Sequence, residues 1–472
     1  MKIHIAGHAS LLFETQGPTV LMDPVFVDPH YERTSVMCPR RDVDWSRLPR
    51  FDILVISHRH LDHFDVRTLA KLNRHCTVLI PAEDALVEQT VARLGFDRCR
   101  TLASYESVTF GSLTLTATPS KACVKEFGLV LRDSTATVWN AVDTNIDGAM
   151  ACEITAKLGP FDVLFAPWQP LLEGEVLLND RTSFPFARYA ALLSNVRLVA
   201  PRAVVPHACG YKYAGEGAWL NRFVFPATRE MFARDVRSML EETCVVSPQP
   251  GDIIESEYGV LHLRAQSSAF VRMIEDDSAD TAFDPTGPIA ELRDANPRDC
   301  SIPAMRATIE MFMDATLLPA LARSIEQRRI AWEYRQLGVV YRLDVVFPDG
   351  PASWSIDFSR ALVIKRSAPL AFGMRARIAA SALCDLIEAR SSPNYTYSSG
   401  LYRFAHRLYA TGSKGIHAWT PTSESQVVDP LWLGFDFERL FAAHIDAEVE
   451  RECGRVASGV ETHKARLDPS PR

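Results

Sequence analysis

The sequence predicts an α/β layered sandwich over residues 1–265 and a smaller α+β domain over 301–472, with a connector at 266–300. Three observations predict this. Short apolar strands alternate with amphipathic helices through the first half, the pattern of a layered α/β domain. Past residue 300 the period changes to one long helical stretch followed by paired strands. At the end of the apolar run 51–57 stands His58-Arg59-His60-Leu61-Asp62-His63, with four metal-ligand side chains in six residues.

The elements follow in order. Residues 4–14 and 19–24 read as two apolar strands across the turn Gln16-Gly17-Pro18, a hairpin. Residues 25–50 read as an irregular excursion, and such loops often line sites, so Tyr31, Arg40 and Arg41 are candidate substrate contacts. Asp65 is placed to cap a helix over 65–75 that carries Val66, Leu69 and Leu72 at helical spacing. A strand at 76–80 and an amphipathic helix at 83–94, closed by Gly95, come next. Residues 108–118 read as two strands around Gly111, and 129–131 with 136–142 as another pair ending in Asp143. Residues 161–168 form a buried strand, and 197–205 a further strand leading into Pro206-His207. Stretch 267–299, rich in Asp, Pro and Gly, reads as the connector. Beyond it a helix at 303–331, strands at 339–347 and 354–358, and a helix at 379–389 make the second domain.

Composition bounds the function. At 472 residues the chain is too long for one ordinary core. Its 47% apolar and 23% charged content is that of a globular protein, and a net charge of −7 offers no basic footprint for nucleic acid. No run approaches the roughly 18 apolar residues of a membrane span. The N-terminus starts in strand-like pattern without a signal-peptide core, so a cytoplasmic location is expected. Ten scattered Cys without a CxxC pair support neither a zinc ribbon nor a disulfide framework.

The chemistry lies in the His-rich stretch. Imidazole and carboxylate are the ligands that borderline transition metals take in proteins. On an extended backbone, His58 and His60 would share one side, with Asp62 and His63 turned toward a second metal. His-x-His-x-Asp-His after a hydrophobic strand resembles the signature of the metallo-β-lactamase superfamily, whose fold is an αβ/βα sandwich around one or two metals. Gly7-His8-Ala9-Ser10, with Asp23-Pro24 closing the next strand, resembles the branch of ascorbate-phosphate lactonase-like and N-acylphosphatidylethanolamine phospholipase D-like proteins. His8 is either near the metals or a packed strand-turn histidine. Segments 131–143 and 204–221 resemble the CMP-N-acetylneuraminate hydroxylase-like branch, whose Rieske cluster has no counterpart here because the chain has no Cys-x-His pair. The strands 343–346 and 355–358, followed by an amphipathic helix, resemble a sterol-carrier-protein-like domain.

The resemblance implies His58 and His60 on a first metal, Asp62, His63 and His207 on a second, and Asp143 bridging them. Asp62 and His63 are the expected catalytic pair. The family's third His of the first site is missing: residues 119–126 read Pro-Ser-Lys-Ala-Cys-Val-Lys-Glu, leaving Glu126 and Cys123 as replacements and Lys121 as an anion contact. Tyr211 and Lys212 are further substrate-binding candidates, and Trp168 and Trp219 candidates for an apolar wall. The expected cofactors are two divalent transition-metal ions, zinc, manganese or iron. The expected activity is hydrolysis of an ester, lactone or phosphodiester by metal-held hydroxide, supplied near neutral pH because the ions acidify water. The alternative is a diiron oxygenase hydroxylating an acyl or amino-acid-like substrate, since a carboxylate replacing that His favours iron or manganese. A third reading is a non-catalytic scaffold with a degenerate site. The expected partner is a small-molecule substrate, with no nucleic acid and no membrane span, and an electron donor only for the oxygenase.

Overall fold

The computed structural model describes residues 1–177, 183–257, 260–413 and 415–457. Two sheets face each other in its first half. One has eight strands in the order Val260–Arg264, Ile253–Glu257, Lys2–Gly7, Ser10–Glu14, Thr19–Met22, Ile53–Val55, Thr77–Pro81, Cys99–Leu102. The other has seven, in the order Cys244–Val245, Ala203–Pro206, Val163–Ala166, Thr137–Asn140, Gly128–Arg132, Leu113–Thr118, Ser107–Phe110. Within each sheet a hairpin-built antiparallel part joins a parallel part supported by helices.

Period-two alternation explains the layering. Ile3, Leu11, Phe13, Val20, Ile53 and Val55 point between the sheets and meet Leu115, Leu129, Leu131, Val163 and Phe165. Their neighbours in sequence, Leu12, Leu21, Leu54 and Val78, point outward onto a helical layer with Leu69, Val87 and Val91. On the far side Val130, Trp139, Leu164 and Val204 meet Ile154, Tyr189, Val196, Phe232 and Val236. The result is an αβ/βα sandwich, as the residue pattern predicts.

Several expected elements differ. The helix expected over 65–75 is only Val66–Leu69, although Asp65 does cap it by accepting from the Arg67 N–H at 3.3 Å. Residues 197–199 finish the helix Phe186–Val199, and Ala200 in left-handed conformation (φ 44°) turns the chain before the strand Ala203–Pro206. The stretch expected to be a connector contains the strand Val271–Glu275, which pairs with Arg40–Val43 and ties residues 271–275 back to the first unit.

The second half centres on a five-stranded sheet in the order Ile364–Lys365, Gly350–Asp357, Val340–Phe347, Met374–Ala379, Tyr402–His406. Helices Ile302–Phe312, Leu318–Glu326, Ile330–Gln336 and Ala380–Ile387 accompany it, with Met305, Ile309, Leu321, Tyr334 and Leu383 in its core. The expected long helix thus ends at Glu326. The final helix, Phe437–Ala457, leaves this sheet and packs Phe441, Ile445 and Val449 among Leu69, Val87 and Val91 of the first unit. Each such side chain, fully buried, stabilises by roughly 1.5–3 kcal/mol, so this helix clamps the two halves together. No helix among the described residues is long and apolar enough to cross a membrane.

Candidate metal centre

Asp23, the His-rich stretch, Asp143 and His207 each follow the C-terminal end of a parallel strand: Thr19–Met22, Ile53–Val55, Thr137–Asn140 and Ala203–Pro206. Both sheets therefore deliver side chains to one edge of the sandwich, where open α/β sheets place their ligands. The His-rich stretch is a turn rather than an extended segment, since the N–H groups of His63 and Phe64 both donate to His60 O at 2.9 and 2.8 Å. Asp143 is swung inward by a turn in which Val142 takes φ 53° and donates its N–H to Asn140 Oδ1 at 3.0 Å. A β-branched residue in that region is strained, a cost of order 1–3 kcal/mol that tends to mark functional sites.

The proton positions prepare the imidazoles for metal. Ser57 donates both its N–H and its hydroxyl to Asp23, each at 2.7 Å. With its proton so used, Ser57 Oγ accepts from His58 Nδ1 at 3.0 Å, leaving the lone pair on His58 Nε2. His63 donates from Nδ1 to Asp23 Oδ2 at 3.0 Å, and its buried Nε2 finds no hydrogen-bond partner among the described residues. A carboxylate fixing the far nitrogen of a ligating His is the usual support of a metal site. His58 Nε2 and His60 Nδ1 stand 2.9 Å apart. Two nitrogens each about 2.1 Å from one ion at a right angle are about 3 Å apart, so this pair fits a single metal. His63 Nε2 is 3.5 Å from Asp143 Oδ2 and 3.9 Å from Asp62 Oδ2. The donor atoms of His58, His63 and Asp143 lie within 4.8 Å of one another, as do those of His8, Asp62 and His63. The residues present fit a cluster of two ions.

The electrostatics agree. Burial works against ionisation of Asp143, yet His63 and His58 hold its carboxyl well below the ordinary range. His63 is likewise held well above its ordinary value, against burial, by Asp143 and Asp62. Burial, then His63, drives His58 well below. Burial, then His8 and Arg229, does the same to His207.

His8 sits beside the donors. Its Nδ1 accepts the Gly210 N–H at 3.1 Å, so the proton of the neutral ring is on Nε2, 3.2 Å from Asp62 Oδ2. The approach is close, but its geometry makes no hydrogen bond from His8 Nε2 to Asp62. Gly210 permits the approach, because a Cβ there would lie 2.8 Å from the His8 backbone nitrogen. Glu126 lies on the segment joined to the motif by Phe127 N–H to Ser57 O at 3.2 Å. It accepts from Ser120 and from the Asn145 N–H at 3.3 Å, and burial, with Asp143 nearby, pushes its carboxyl up to about 7. Cys123 is exposed.

A cavity of about 580 Å³ opens above the donors, lined by His60, Asp62, Asp143, His207, Tyr31, Trp168, Glu173, Tyr211 and Tyr213 among others. Tyr31 reaches it from three consecutive left-handed residues, Tyr31, Glu32 and Arg33 (φ 51°, 55° and 67°). The second half holds that turn in place. Glu32 accepts from the Ser392 N–H at 3.1 Å and from its hydroxyl, and lies 3.4 Å from His444 Nδ1. Thr34 donates to Ser398 Oγ at 2.8 Å, and Ser398 itself lines the cavity.

Other candidate contacts fall elsewhere. Lys121 is paired with Asp147, and Lys212 with Asp277 and, at 2.6 Å, Asp280, so neither charge is free for a ligand. Arg40 pairs with Glu275 at 2.9 Å, while Arg41 is buried against Phe26 and donates to Val25 O. Trp219 packs on Arg403, 4.0 Å from its guanidinium. Tyr211 does line the cavity. Asp23, Ser57 and Glu173 carry the site without having been singled out in the sequence. An Asp-Pro at a strand end and a Ser before the first His were the available signals for the first two.

Residues 19–207 match the family described as the beta-lactamase superfamily domain. The matched part contains the His-rich stretch, Asp143 and His207. Among curated relatives, a Mycobacterium tuberculosis protein named "Putative Rieske 2Fe-2S iron-sulfur protein" is 36% identical over 101 residues, 21% of this chain and 19% of its own. The 4-amino-L-phenylalanyl-[CmlP-peptidyl-carrier-protein] 3-hydroxylase of Streptomyces venezuelae is 28% identical over 178 residues, 34% of this chain and 33% of its own. The chain thus spans a third or less of these relatives' length. Among solved structures, CmlA, a diiron beta-hydroxylase from Streptomyces venezuelae, aligns with TM-score 0.39 and 18% identity over 56% of this chain and 54% of that one. An isothiocyanate hydrolase from Delia radicum gut bacteria aligns with TM-score 0.40 and 15% identity over 54% and 100%.

Proposed function

We propose that this protein is a dinuclear iron oxygenase that hydroxylates an organic substrate held in the cavity over His60, Asp62 and Asp143. Glu126 carries the reading. A carboxylate stands on the loop where the superfamily resemblance expects a third histidine, on the segment bonded to Ser57 and within electrostatic reach of Asp143. Replacing imidazole by carboxylate hardens the donor set and suits iron better than zinc. His58, His60 and Glu126 would hold one ion, Asp62, His63 and His207 the other, with Asp143 shared. Bound iron would supply oxygen activation. The chain's own residues set the stage for it: Asp23 and Ser57 fix the tautomers of His63 and His58, His8 stands 3.2 Å from Asp62, and Trp168 with its apolar neighbours keeps water from the substrate. The hydroxylase named for a carrier-bound 4-amino-L-phenylalanyl group supports an aminoacyl-like substrate. Electrons would come from a separate donor.

The Asp62–His8 pair favours a second reading, because a carboxylate beside an imidazole over the donors can also orient a water for hydrolysis of an ester, lactone or phosphodiester. Metal content decides between the two. Protein produced with both iron and zinc available should carry about two irons per chain, and Glu126→His should move the ratio toward zinc. Zinc in the unaltered chain, with ester turnover and no oxygen uptake in the presence of reductant, would overturn the oxygenase.

A further inference from the structure

One group in the cavity is left over by the metal chemistry. Glu173 stands on its wall, at the start of the short helix Glu173–Leu177, with its carboxylate reaching the space shared with Asp62 and Asp143. Tyr211 donates to Glu173 Oε1 at 2.9 Å, and Tyr213 donates to the same oxygen. Both hydroxyls are delivered by one strand, Tyr211–Tyr213, in which side chains two residues apart share a face. Tyr211 and Tyr213 pack edge-on with ring centroids 5.8 Å apart, and Tyr211 also packs on His8 at 5.4 Å. The carboxylate is therefore held at a fixed place relative to the donors rather than swinging freely.

Its charge is not matched from within. Among the described residues no Lys, Arg or His lies at ion-pair distance from Glu173. Arg188, the cavity's own guanidinium, is turned to Glu175 and to Leu171 O. Burial raises the Glu173 carboxyl above its ordinary range, the direction expected of an acid that lacks a cation. Glu173 is half-buried, and the two neutral hydroxyls bond only one of its oxygens, leaving the other open to a ligand. The same cavity is lined by the apolar side chains of Trp139, Leu164, Trp168, Leu192, Val196 and Val199.

We propose that Glu173, steadied by Tyr211 and Tyr213, is the anchor for a cationic group of the substrate, an ammonium carried on an apolar or aromatic body that packs against Trp168 and Leu192. This specificity-determining role rests on the reading of the cavity as a metalloenzyme's substrate site and names the class of molecule that enters it. An ammonium on the free oxygen would complete the carboxylate's hydrogen bonding and place the apolar body over the donor floor.

The test uses the full metal-loaded chain and three probes of similar shape: 2-phenylethylamine, 2-phenylethanol and phenylacetate. Calorimetric titration of the unaltered protein should rank the amine roughly ten- to a hundredfold above the alcohol, the effect of one hydrogen bond to a charged group, and the acid last. Glu173→Gln, which keeps the shape and the tyrosine contacts, should erase the preference while leaving alcohol affinity and metal content unchanged. Glu173→Asp should restore part of it. Equal affinity for amine and alcohol in the unaltered chain would overturn the anchor, as would a preference that survives Glu173→Gln. Metal content and oxygen uptake are read on the same samples. Zinc or absent oxygen uptake would remove the oxygenase yet leave the ranking of the probes to decide the anchor separately.

Discussion

Three carboxylates of this molecule, Asp143, Asp429 and Glu173, sit in three different settings, and the contrast between the first two separates chemistry from architecture. Asp143 stands among imidazoles, with His63 Nε2 3.5 Å away, and its carboxyl is held far below the ordinary range although burial opposes this. Asp429, in the second half, is buried, whereas Asp143 opens to the cavity with its side chain 37% exposed. It accepts from the Tyr402 hydroxyl at 2.7 Å and the Leu431 N–H at 3.0 Å, with Trp432 Nε1 donating in turn to Tyr402 at 3.0 Å. No cation stands beside it among the described residues, and burial pushes its carboxyl up to about 6. Burial alone thus says little about role. The neighbours decide whether a buried acid is prepared for positive charge or serves as a hydrogen-bond acceptor in a packed core. Glu173 has the tyrosine partners of Asp429 and the cavity setting of Asp143, which is why it reads as a binding group.

The comparison can be broken most severely at its first member. Asp143→Ala should remove the shared ligand, lower metal content by at least one ion per chain and reduce turnover by about a thousandfold, measured by metal analysis and steady-state rate. Retention of both ions would detach Asp143 from the centre. Asp23→Asn should leave the fold intact but weaken the support of His63 and, through Ser57, of His58. A chelator competition should show metal affinity falling by roughly ten- to a hundredfold.

Asp429→Asn probes the other pole. Folding favours the protonated acid, so the native chain keeps a proton that the unfolded chain releases between pH 3.8 and about 6. The stability this gives is present at low pH and is lost as pH rises through that window. The thermal midpoint of Asp429→Asn relative to the unaltered chain should therefore climb between pH 4.5 and 7, by an amount corresponding to about 2–3 kcal/mol. A pH-independent difference would mean that Asp429 is ionised throughout. The smallest effect is expected at the wall. Glu32→Ala unpairs Ser392 and His444 and loosens the turn that carries Tyr31, costing about 1–2 kcal/mol in thermal stability. Substrate KM should rise while metal content stays unchanged.

Much of the donor floor was legible because it is local. His58, His60, Asp62 and His63 lie within one turn, and Asp143 and His207 are marked by the apolar strands they terminate. The strand order of the first half follows from alternation and short connections. The wall was legible only in part. Tyr31, Trp168 and Tyr211 stood out by their place near the motifs, but nothing in the local pattern of Glu173 and Ser398 sets them apart from loop or core residues. Lys121 and Lys212 were attractive by position, yet each found a carboxylate from another segment, and proximity to a motif in sequence did not carry their charges into the cavity.

By itself the sequence determined the sandwich, the donor types and the missing third histidine, since periodicity and ligand chemistry act over a few residues. Tertiary structure alone decided which nitrogen of His63 keeps its lone pair, because Asp23 takes the proton of the other from a separate strand. It alone decided that the last helix would return to cover the first unit, since a helix's apolar stripe does not name its partner. It alone brought Glu173 under two tyrosine hydroxyls, a contact between segments some forty residues apart that no local rule encodes.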